Sequence, residues 1–280
     1  MLAVKVIKSH HFSPLRYPGG KTSLTLFFDE IIKKNNLYDG TYIEPYAGGA
    51  GAALSLLLLE KVEKVIINDL DPGIYGFWKS AIFNSNEFIK KIKSTPVNLE
   101  EWHKQKEIYR NKDSCELDLG FATFFLNRTN RSGIVEGGPI GGIKQIGKWK
   151  IDARFNKDDL IGRIKKISYY RDRITVTNKD GLELLKKIKK LKKMFIYLDP
   201  PYYEKGSSLY LNSYNEKDHE NLANFLNNNS NVNWLLTYDN IDYIKNLYLD
   251  RRMHKFSINY SANVKRKDSE LMIFSDSLAI

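Results

Sequence analysis

The run FIYLDPPYYE at residues 195–204 joins an apolar strand pattern to an acid, two prolines and two tyrosines. Its apolar half is typical of a buried parallel strand that ends at Asp199. Pro200 and Pro201 fix φ and donate no backbone hydrogen bond, so the chain leaves the sheet as a stiff corner. This corner presents a carboxylate, a main-chain carbonyl and the ring of Tyr202, which suit a flat ligand with hydrogen-bond donors. A strand-ending turn without function gives the same pattern.

A loop of small residues, within IEPYAGGAGAAL at 43–54, stands between a predicted strand and a predicted helix. Small residues let backbone N–H groups and the helix N-terminus approach a ligand closely. The spacing departs from G-x-G-x-x-G, so a tight strand-to-helix turn explains the loop equally well. Its candidate ligand-binding residues are Pro45, Tyr46, Ala47, Gly48, Gly49 and Gly51.

Two further acids stand at the ends of predicted strands. Asp69 closes the second strand about 20 residues after the glycines, where an acid can accept both hydroxyls of a ribose. Asp180 follows the third strand and precedes Gly181, and it can accept a hydrogen bond from an adenine amino group. Both acids can also serve simply as helix N-caps. The loop and Asp69 together favour a cofactor that contains a nucleoside.

The stretch SPLRYPGGKTSL at 13–24 places Gly19, Gly20 and Lys21 before a predicted helix, as in some phosphate-binding loops. It lacks the spacing of a P-loop and no strand precedes it, which excludes a nucleoside triphosphatase of that type. Lys21 can instead pair with a carboxylate, and Tyr17 can cover a cationic or aromatic group.

Strands and helices alternate along the chain, which predicts an α/β fold with a mostly parallel sheet covered by helices. The predicted strands are 41–46, 64–69, 174–178, 194–199 and 232–239, with a closing antiparallel pair at 253–258 and 270–274; the predicted helices are 22–34, 51–60 and 218–226. Because ligands of such sheets bind outside the carboxyl ends of the strands, we expect the polar strand ends to form one site.

The alternation breaks between about 75 and 165. Helical patterns at 87–93, 100–110 and 117–127 are followed by a glycine-rich basic stretch, which we interpret as hairpins and loops. The predicted organisation is therefore a core formed by residues 1–74 and 166–280 with an insert at 75–165. The lysine-rich run at 182–193 fits either a helix that covers the sheet or a basic amphipathic partner helix, and the first is favoured.

The amino-acid composition limits the classes of protein to which this chain can belong. The 280 residues carry a formal charge of +11 with 17 Tyr and 14 Phe, a mixture that suits phosphates and stacked bases. Cys115 is the only cysteine, so a disulfide within the chain and a multi-cysteine metal site are excluded, and the five histidines form no ligand pattern. No signal peptide is recognisable, and the apolar run 52–59 is too short to span a bilayer. A cytoplasmic protein without a metal or membrane partner is expected, and a monomer is favoured.

The ordered motifs SPLRYPGGK, EPYAGGAG, NDLDPG, KDG and DPPY resemble those of the Dam-type (D12 class) adenine-N6 DNA methyltransferases. The resemblance covers nearly the whole chain. It implies a Rossmann-like methyltransferase core that binds S-adenosylmethionine, with an inserted target-recognition region, acting on double-stranded DNA. Methylation of RNA or of cytosine N4, and a DNA-binding regulator without turnover, are the alternatives.

The resemblance also implies roles for the candidate residues. Tyr17 and Lys21 contact the methionine end of the cofactor, and the loop 45–51 wraps it. Asp69 accepts from the ribose, while Asp180 and Gly181 lie at its adenine. The catalytic residues are Asp199, Pro200, Pro201 and Tyr202, with Asp199 also beside the cofactor. Asp199 and the Pro200 carbonyl accept the N6 hydrogens of a flipped-out adenine, on which Tyr202 stacks.

The insert is the candidate DNA reader, because Arg and Lys can contact guanine and Asn or Gln adenine from the major groove. Its candidate DNA-binding residues are Arg128, Asn130, Arg131, Ser132, Ile134, Glu136, Lys144, Gln145, Lys148 and Lys150. Most of them can equally contact phosphates or solvent. Glu136 falls where GATC-methylating relatives tend to place an arginine that reads guanine, so GATC is not the expected target. Ile134 and Val135 are the candidate wedge in the opened duplex.

Overall fold

The computed structural model describes residues 12–17, 20–111, 113–188, 191–203, 214–259 and 267–280. The described chain divides into two compact units. The first comprises Lys21–Leu70 and Arg173–Ile280, and the second comprises Asp71–Asp172 together with residues 12–17 and 20.

The strands of the described residues are β1 (Thr41–Glu44), β2 (Lys64–Asn68), β3 (Ile174–Thr177), β4 (Met194–Leu198), β5 (Trp234–Asp239), β6 (Arg252–Asn259) and β7 (Lys267–Phe274). The helices are α1 (Thr25–Lys34), α2 (Gly51–Leu58), α3 (Pro72–Phe83), α4 (Ser85–Ser94), α5 (Leu99–Arg110), α6 (Glu116–Thr129), α7 (Lys157–Tyr169), α8 (Gly181–Ile188), α9 (Glu216–Asn227) and α10 (Asp242–Leu247). A 3-10 turn at Lys21–Leu24 leads into α1.

All seven of these strands lie in the first unit and form one sheet in the order β3-β2-β1-β4-β5-β7-β6. The first five are parallel, whereas β7 runs antiparallel to both β5 and β6. The α/β fold class, the mostly parallel sheet and the closing antiparallel pair are therefore confirmed. β1 ends two residues earlier than predicted, because Pro45 has no N–H for a sheet ladder.

Both faces of the central strands are buried, as their continuous apolar runs predict. On one face, Ile43, Ile196 and Leu236 pack in a cluster that includes Leu184 of α8 and Leu222 of α9. On the other face, the ring of Phe28 in α1 lies 4.7 Å from that of Tyr197, 5.8 Å from that of Phe195 and 6.0 Å from that of Tyr42. The alternation of side chains along β1 and β4 thus holds helices on both faces of the sheet.

Helix α8 contains the first part of the lysine-rich run at 182–193. Its Leu184, Leu185 and Ile188 are buried against the sheet, and Lys186 and Lys187 are exposed. A sheet-covering helix is therefore confirmed for the described part of the run. No helix among the described residues is long and apolar enough to span a membrane.

The second unit has an aromatic core between its helices. The ring of Phe124 in α6 stacks on Phe77 of α3 at 5.6 Å and meets the ring of Phe88 of α4 at 5.4 Å. Helices α3 and α6 approach closely at two glycines, since a Cβ on Gly120 would lie 2.4 Å from the carbonyl carbon of Gly76. Helices α3 and α7 were not predicted; the Asp-Pro pair before α3 was the missed signal, because Asp71 caps that helix and Pro72 begins it.

The glycine-rich stretch after α6 differs from the prediction. Instead of hairpins, residues 130–156 form turns, a 3-10 turn at Arg131–Gly133 and one isolated bridge between Asn130 and Pro139. The predicted loops are confirmed and the predicted hairpins are wrong. Gly141 and Gly142 adopt φ of 86° and 73°, a left-handed conformation that interrupts a strand.

Candidate active site

Asp199 lies directly after β4, and its carboxylate is held from three sides. Lys21 Nζ donates to Oδ2 at 2.7 Å and to Oδ1 at 2.9 Å. Thr237 of β5 donates to Oδ1 at 2.7 Å, and the Tyr202 hydroxyl donates to the same atom at 3.2 Å. The side chain of Asp199 is still 18% exposed, so a ligand can reach a carboxylate whose position is fixed.

The two prolines after Asp199 form a buried corner outside the sheet. Pro200 and Pro201 are buried, and Tyr202 is half-buried with its ring 6.1 Å from that of Tyr238. The Tyr202 hydroxyl also accepts from Lys21 Nζ at 3.1 Å. Burial, followed by the negative charge of Asp199, raises the pKa of Tyr202 well above its usual range, so the hydroxyl remains a neutral donor.

Lys21 forms an ion pair with Asp199, so the prediction that Lys21 pairs with a carboxylate is confirmed. A second acid, Glu270 in the middle of β7, has its Oε2 3.8 Å from the Lys21 ammonium. Glu270 stands opposite Asp239 of β5 in the antiparallel register, and both acids are buried. Glu270 was not among the predicted site residues. Its only local signal is an acid directly before the apolar run LMIF, which does not indicate that it faces Lys21.

The small-residue loop after β1 is buried and tightly bonded. Gly48 and Ala50 have φ of 46° and 45°, and the Ala47 N–H donates to the carbonyl of Asn68 at 2.9 Å. A Cβ on Gly51 would lie 2.1 Å from Thr22 Oγ1, so a larger residue there would displace the Thr22 side chain. Pro45 and Gly49 are buried in the same loop.

The predicted acids Asp69 and Asp180 lie at neighbouring strand ends of the same sheet. Asp69 Oδ2 accepts from the Gly48 N–H at 2.8 Å, which ties the end of β2 to the small-residue loop. Asp180 Oδ1 accepts from the Leu182 and Glu183 N–H groups at 2.9 and 3.1 Å, so its predicted role as a helix N-cap is confirmed. Their contacts to ribose and adenine stay predictions.

The ring of Tyr46 packs directly against the backbone of Gly181. A Cβ on Gly181 would lie 2.4 Å from the Tyr46 ring, and the Tyr46 hydroxyl shares a hydrogen bond of 2.7 Å with that of Tyr214. The ring of Tyr46 therefore covers the start of α8, beside Asp180.

Asn68, which the sequence analysis did not single out, joins three strand ends. Its amide donates to the carbonyls of Pro45 and Lys179, each at 2.8 Å. Its Oδ1 accepts from the Thr177 hydroxyl at 2.7 Å and from the Lys179 N–H at 3.0 Å. Since Asn68 is fully buried, it fixes the ends of β1, β2 and β3 relative to one another.

Glu44 is a second buried acid that was missed. Its Oε1 accepts from the Tyr42 hydroxyl and from the Ala53 N–H, both at 3.0 Å. Burial raises the pKa of Glu44 to about 8, and the charge of Asp199 adds to this shift. Glu44 is therefore a neutral acid at pH 7, next to Pro45 in the small-residue loop.

Tyr17 and Gly20 belong to the second unit, and Gly19 lies outside the described residues. Tyr17 is half-buried, and its carbonyl accepts from the Gly20 N–H at 3.1 Å. Its contact with a cofactor stays a prediction.

Two of the candidate DNA-binding residues are buried in the second unit. Asn130 accepts from Trp102 Nε1 at 2.6 Å and donates to the carbonyls of Ile134 and Val135 at 2.9 and 2.8 Å. Arg128 donates to the carbonyl of Arg154, and burial lowers its pKa to about 10. Both side chains hold the stretch that follows α6.

The remaining DNA-binding candidates are at least partly accessible. Gln145 is half-buried and binds the loop internally, donating to the Ile140 and Gly142 carbonyls at 2.8 and 2.7 Å. Glu136 is exposed and lies 3.3 Å from a guanidinium nitrogen of Arg110. Arg131, Ile134, Lys144, Lys148 and Lys150 are exposed, and Ser132 and Val135 are half-buried. Ile146 and Trp149, neither of them among the candidates, are 82% and 63% exposed.

The described residues contain no group of three His, Cys, Asp or Glu side chains that could hold a metal ion.

Comparison with known proteins identifies the family. Residues 17–264 match the model of the D12 class N6 adenine-specific DNA methyltransferases. The type II methyltransferase M.MjaIII of Methanocaldococcus jannaschii is 27% identical over 291 residues, which cover 93% of this chain and 98% of the relative. The type II methyltransferase M.CviBI of Paramecium bursaria Chlorella virus NC1A is 22% identical over 236 residues, covering 84% and 85%. The chain thus belongs to the D12 class of N6 adenine-specific DNA methyltransferases, and it is an enzyme that methylates adenine in DNA.

Proposed function

We propose that this enzyme transfers a methyl group from S-adenosylmethionine to N6 of an adenine that is flipped out of double-stranded DNA, with Asp199 as the acceptor of an N6 hydrogen. The observation that carries the proposal is the fixed carboxylate of Asp199. It lies at the carboxyl end of a central parallel strand, bonded to Lys21 and Thr237, and a buried Pro-Pro corner follows it.

The residues present fit a nucleoside-containing cofactor. The buried loop 45–51 of small residues opens a helix, and Asp69 at the next strand end bonds to it through Gly48. We infer that Pro45 to Gly51 enclose S-adenosylmethionine, that Asp69 accepts from its ribose and that Asp180 and Gly181 lie at its adenine. When bound, this cofactor supplies a methyl group on a positively charged sulfur.

The chain's own residues then prepare the nucleophile. The lone pair of an adenine N6 is delocalised into the ring, so the amino group attacks poorly. An N–H donated to Asp199 and another to the Pro200 carbonyl would favour tetrahedral nitrogen and aim its lone pair. The amino nitrogen would form the new bond to the methyl carbon as the carbon–sulfur bond breaks and the sulfur keeps its electron pair. The surplus proton on nitrogen would then pass to solvent. Positioning and electrostatics account for the catalysis, without a covalent intermediate on the protein.

Tyr202 is the proposed platform for the flipped base. Its ring lies at the rigid corner beside Asp199, and its hydroxyl is held by Lys21. Stacking on such a ring is worth roughly 1–3 kcal/mol. That is comparable with the few kcal/mol needed to extrude a base from the duplex.

For target recognition, we propose that the exposed side chains of the stretch 131–150 contact DNA. Four cations, Arg131, Lys144, Lys148 and Lys150, are exposed there together with the apolar Ile134, Ile146 and Trp149. Exposed apolar groups among cations suit a duplex with an opened base step. The buried and half-buried candidates are proposed to support the shape of this stretch; they are Arg128, Asn130, Ser132 and Gln145. Glu136, paired with Arg110, supports a target other than GATC.

The test is methyl transfer itself. The full chain is incubated with double-stranded DNA, and separately with RNA, together with S-adenosylmethionine carrying a labelled methyl group. Nucleoside analysis and sequencing of the modified nucleic acid follow. Labelled N6-methyl-2′-deoxyadenosine in a fixed sequence is expected. Label on cytosine, label on RNA only, or salt-sensitive DNA binding without label would each reject the proposal, and methylation confined to GATC would reject its statement on the target.

A further inference from the structure

Lys21 stands between two carboxylates in the first unit. Its Nζ is 2.7 Å from Asp199 Oδ2 and 3.8 Å from Glu270 Oε2. The side chains of Lys21 and Glu270 are only 5% and 3% exposed. One cation therefore faces two acids in a largely dry environment, where charge interactions are stronger than in water.

The present bonds of Asp199 conflict with the proposed binding of adenine. Oδ1 accepts from Lys21, Thr237 and Tyr202, and Oδ2 accepts from Lys21. A carboxylate offers about four acceptor positions, so this one is near saturation before any base arrives. Lys21 is the donor that both oxygens share, so an N6 hydrogen that approaches Asp199 competes with the ammonium for this carboxylate.

Lys21 is the donor that can withdraw. Thr237 is held on β5, where its hydroxyl also bonds to Tyr197 at 2.8 Å, and the bond from Tyr202 is the longest of the four to Asp199, at 3.2 Å. The ammonium of a lysine, in contrast, ends a flexible four-carbon stem. A shift of about 1 Å toward Glu270 would convert the present 3.8 Å separation into a direct hydrogen bond.

The ammonium needs such a second partner, because a buried charge left without one is strongly unfavourable. We propose that Glu270 is a positioning residue that receives the Lys21 ammonium when the target adenine binds Asp199. No covalent bond changes in this step: Lys21 exchanges one carboxylate for another, and the adenine N–H takes its position on Asp199. The proposal rests on the proposed function of Asp199.

Glu270→Gln tests the proposal, since it removes the charge and keeps the shape. The substrate is a duplex of the methylated sequence with 2-aminopurine beside the target adenine, so that extrusion of the adenine unstacks the probe and raises its fluorescence. We expect extrusion to fall about tenfold and KM for DNA to rise about tenfold, with the Kd for S-adenosylmethionine changed less than about twofold. Asp242→Asn, which removes an exposed negative charge from α10, is the matched control and should behave as the native protein.

A double-mutant cycle separates this role from a structural one. Because Glu270 acts through Lys21, Glu270→Gln should have no further effect on extrusion in a Lys21→Met background. An equal loss in both backgrounds would refute the proposal, as would native extrusion and KM in Glu270→Gln alone.

Glu270→Asp replaces Glu270→Gln as the test variant if the glutamine variant does not fold. It retains the charge on a shorter side chain, so extrusion should lie between that of the native protein and a tenfold loss; a native value would then count against the proposal.

Asp199→Ala distinguishes a failure of the proposed function from a failure of the proposed role of Glu270. If that variant still methylates DNA, the proposed function fails; if it is inactive while Glu270→Gln behaves as the native protein, only the role of Glu270 fails.

Discussion

In the first unit, the carboxyl ends of the parallel strands form one edge of the sheet, where the polar side chains are bonded into the fold. In the second unit, the glycine-rich stretch 131–150 leaves several polar side chains exposed. At the edge, Asp199, Asp69 and Asn68 are bonded to neighbouring strands and loops through several atoms. In the stretch 131–150, Lys144 and Lys148 are exposed. Asn130 and Gln145 bind the backbone of the stretch itself.

This difference reflects two tasks. Methyl transfer needs groups that already occupy their working positions, because moving them during the reaction raises the barrier. Recognition of DNA needs side chains that can reach phosphates and base edges, and these are long, charged and accessible. Variants at the edge should therefore affect turnover most, whereas variants in the stretch should affect either stability or affinity, depending on burial.

The largest effect is expected for Asp199→Ala. Turnover should fall by about 10³-fold, because the acceptor that aims the amino nitrogen is lost. The thermal unfolding midpoint should remain close to the native value, since Lys21 keeps Glu270 as a neighbouring acid. The measurement is label transfer to DNA beside a melting curve, and near-native turnover would remove Asp199 from the chemistry.

Tyr202→Ala should reduce base capture and turnover by roughly 10- to 100-fold, through loss of a stacking contact worth about 1–3 kcal/mol. Tyr202→Phe is the matched control, because it keeps the ring and removes only the hydroxyl bonded to Asp199 and Lys21. The phenylalanine variant should retain most of the base capture. If both variants lose the same amount, the hydroxyl and not the ring is the important group.

Asn130→Ala tests the buried side of the glycine-rich stretch. The change leaves Trp102 Nε1 and two backbone carbonyls without their present partner. The free energy of unfolding should fall by about 2–3 kcal/mol, measured with urea. A variant of native stability with reduced affinity for DNA would instead make Asn130 a reader of bases.

Glu44→Gln tests how the buried carboxyl group of Glu44 changes the stability of the protein with pH. The pKa of Glu44 is about 8 in the folded protein against 4.5 for the ordinary side chain. The folded state therefore holds the proton more tightly, and Glu44 makes native stability decrease as pH rises from about 4.5 to about 8. Glutamine can accept the same two hydrogen bonds without titrating, so the variant should lose less stability over this window. Urea unfolding at both ends checks this, and parallel curves for the two proteins would contradict it.

The smallest effect is expected for Lys148→Ala on the exposed side of the stretch. Affinity for DNA should fall severalfold, and the slope of log K against log salt should decrease in magnitude by about 0.9 for one lost phosphate contact. Stability should not change, because the side chain is exposed. Lys90→Ala, at an exposed position of α4, is the charge-matched control. An identical salt dependence for the two variants would show that Lys148 does not touch DNA.

Much of the fold could be predicted because its signals are local. The apolar run before Asp199, the prolines after it and the small residues after β1 each specify a conformation within a few positions. Helices α3 and α7 were harder, since α3 is apolar on most of its surface and the Asp71–Pro72 start signal is short. The hairpins expected after α6 failed because closely spaced glycines with positive φ favour turns.

Residue types and their spacing are enough to predict how the strands follow one another along the chain and which acids follow strand ends, because hydrophobic periodicity, proline and glycine act over short distances. It took the three-dimensional arrangement to show that Lys21 meets Asp199 and Glu270, residues that are far apart in the chain, and that Asn130 is buried whereas Lys148 is exposed. Such contacts depend on the pairing of strands and the packing of helices from distant segments, which no local pattern specifies.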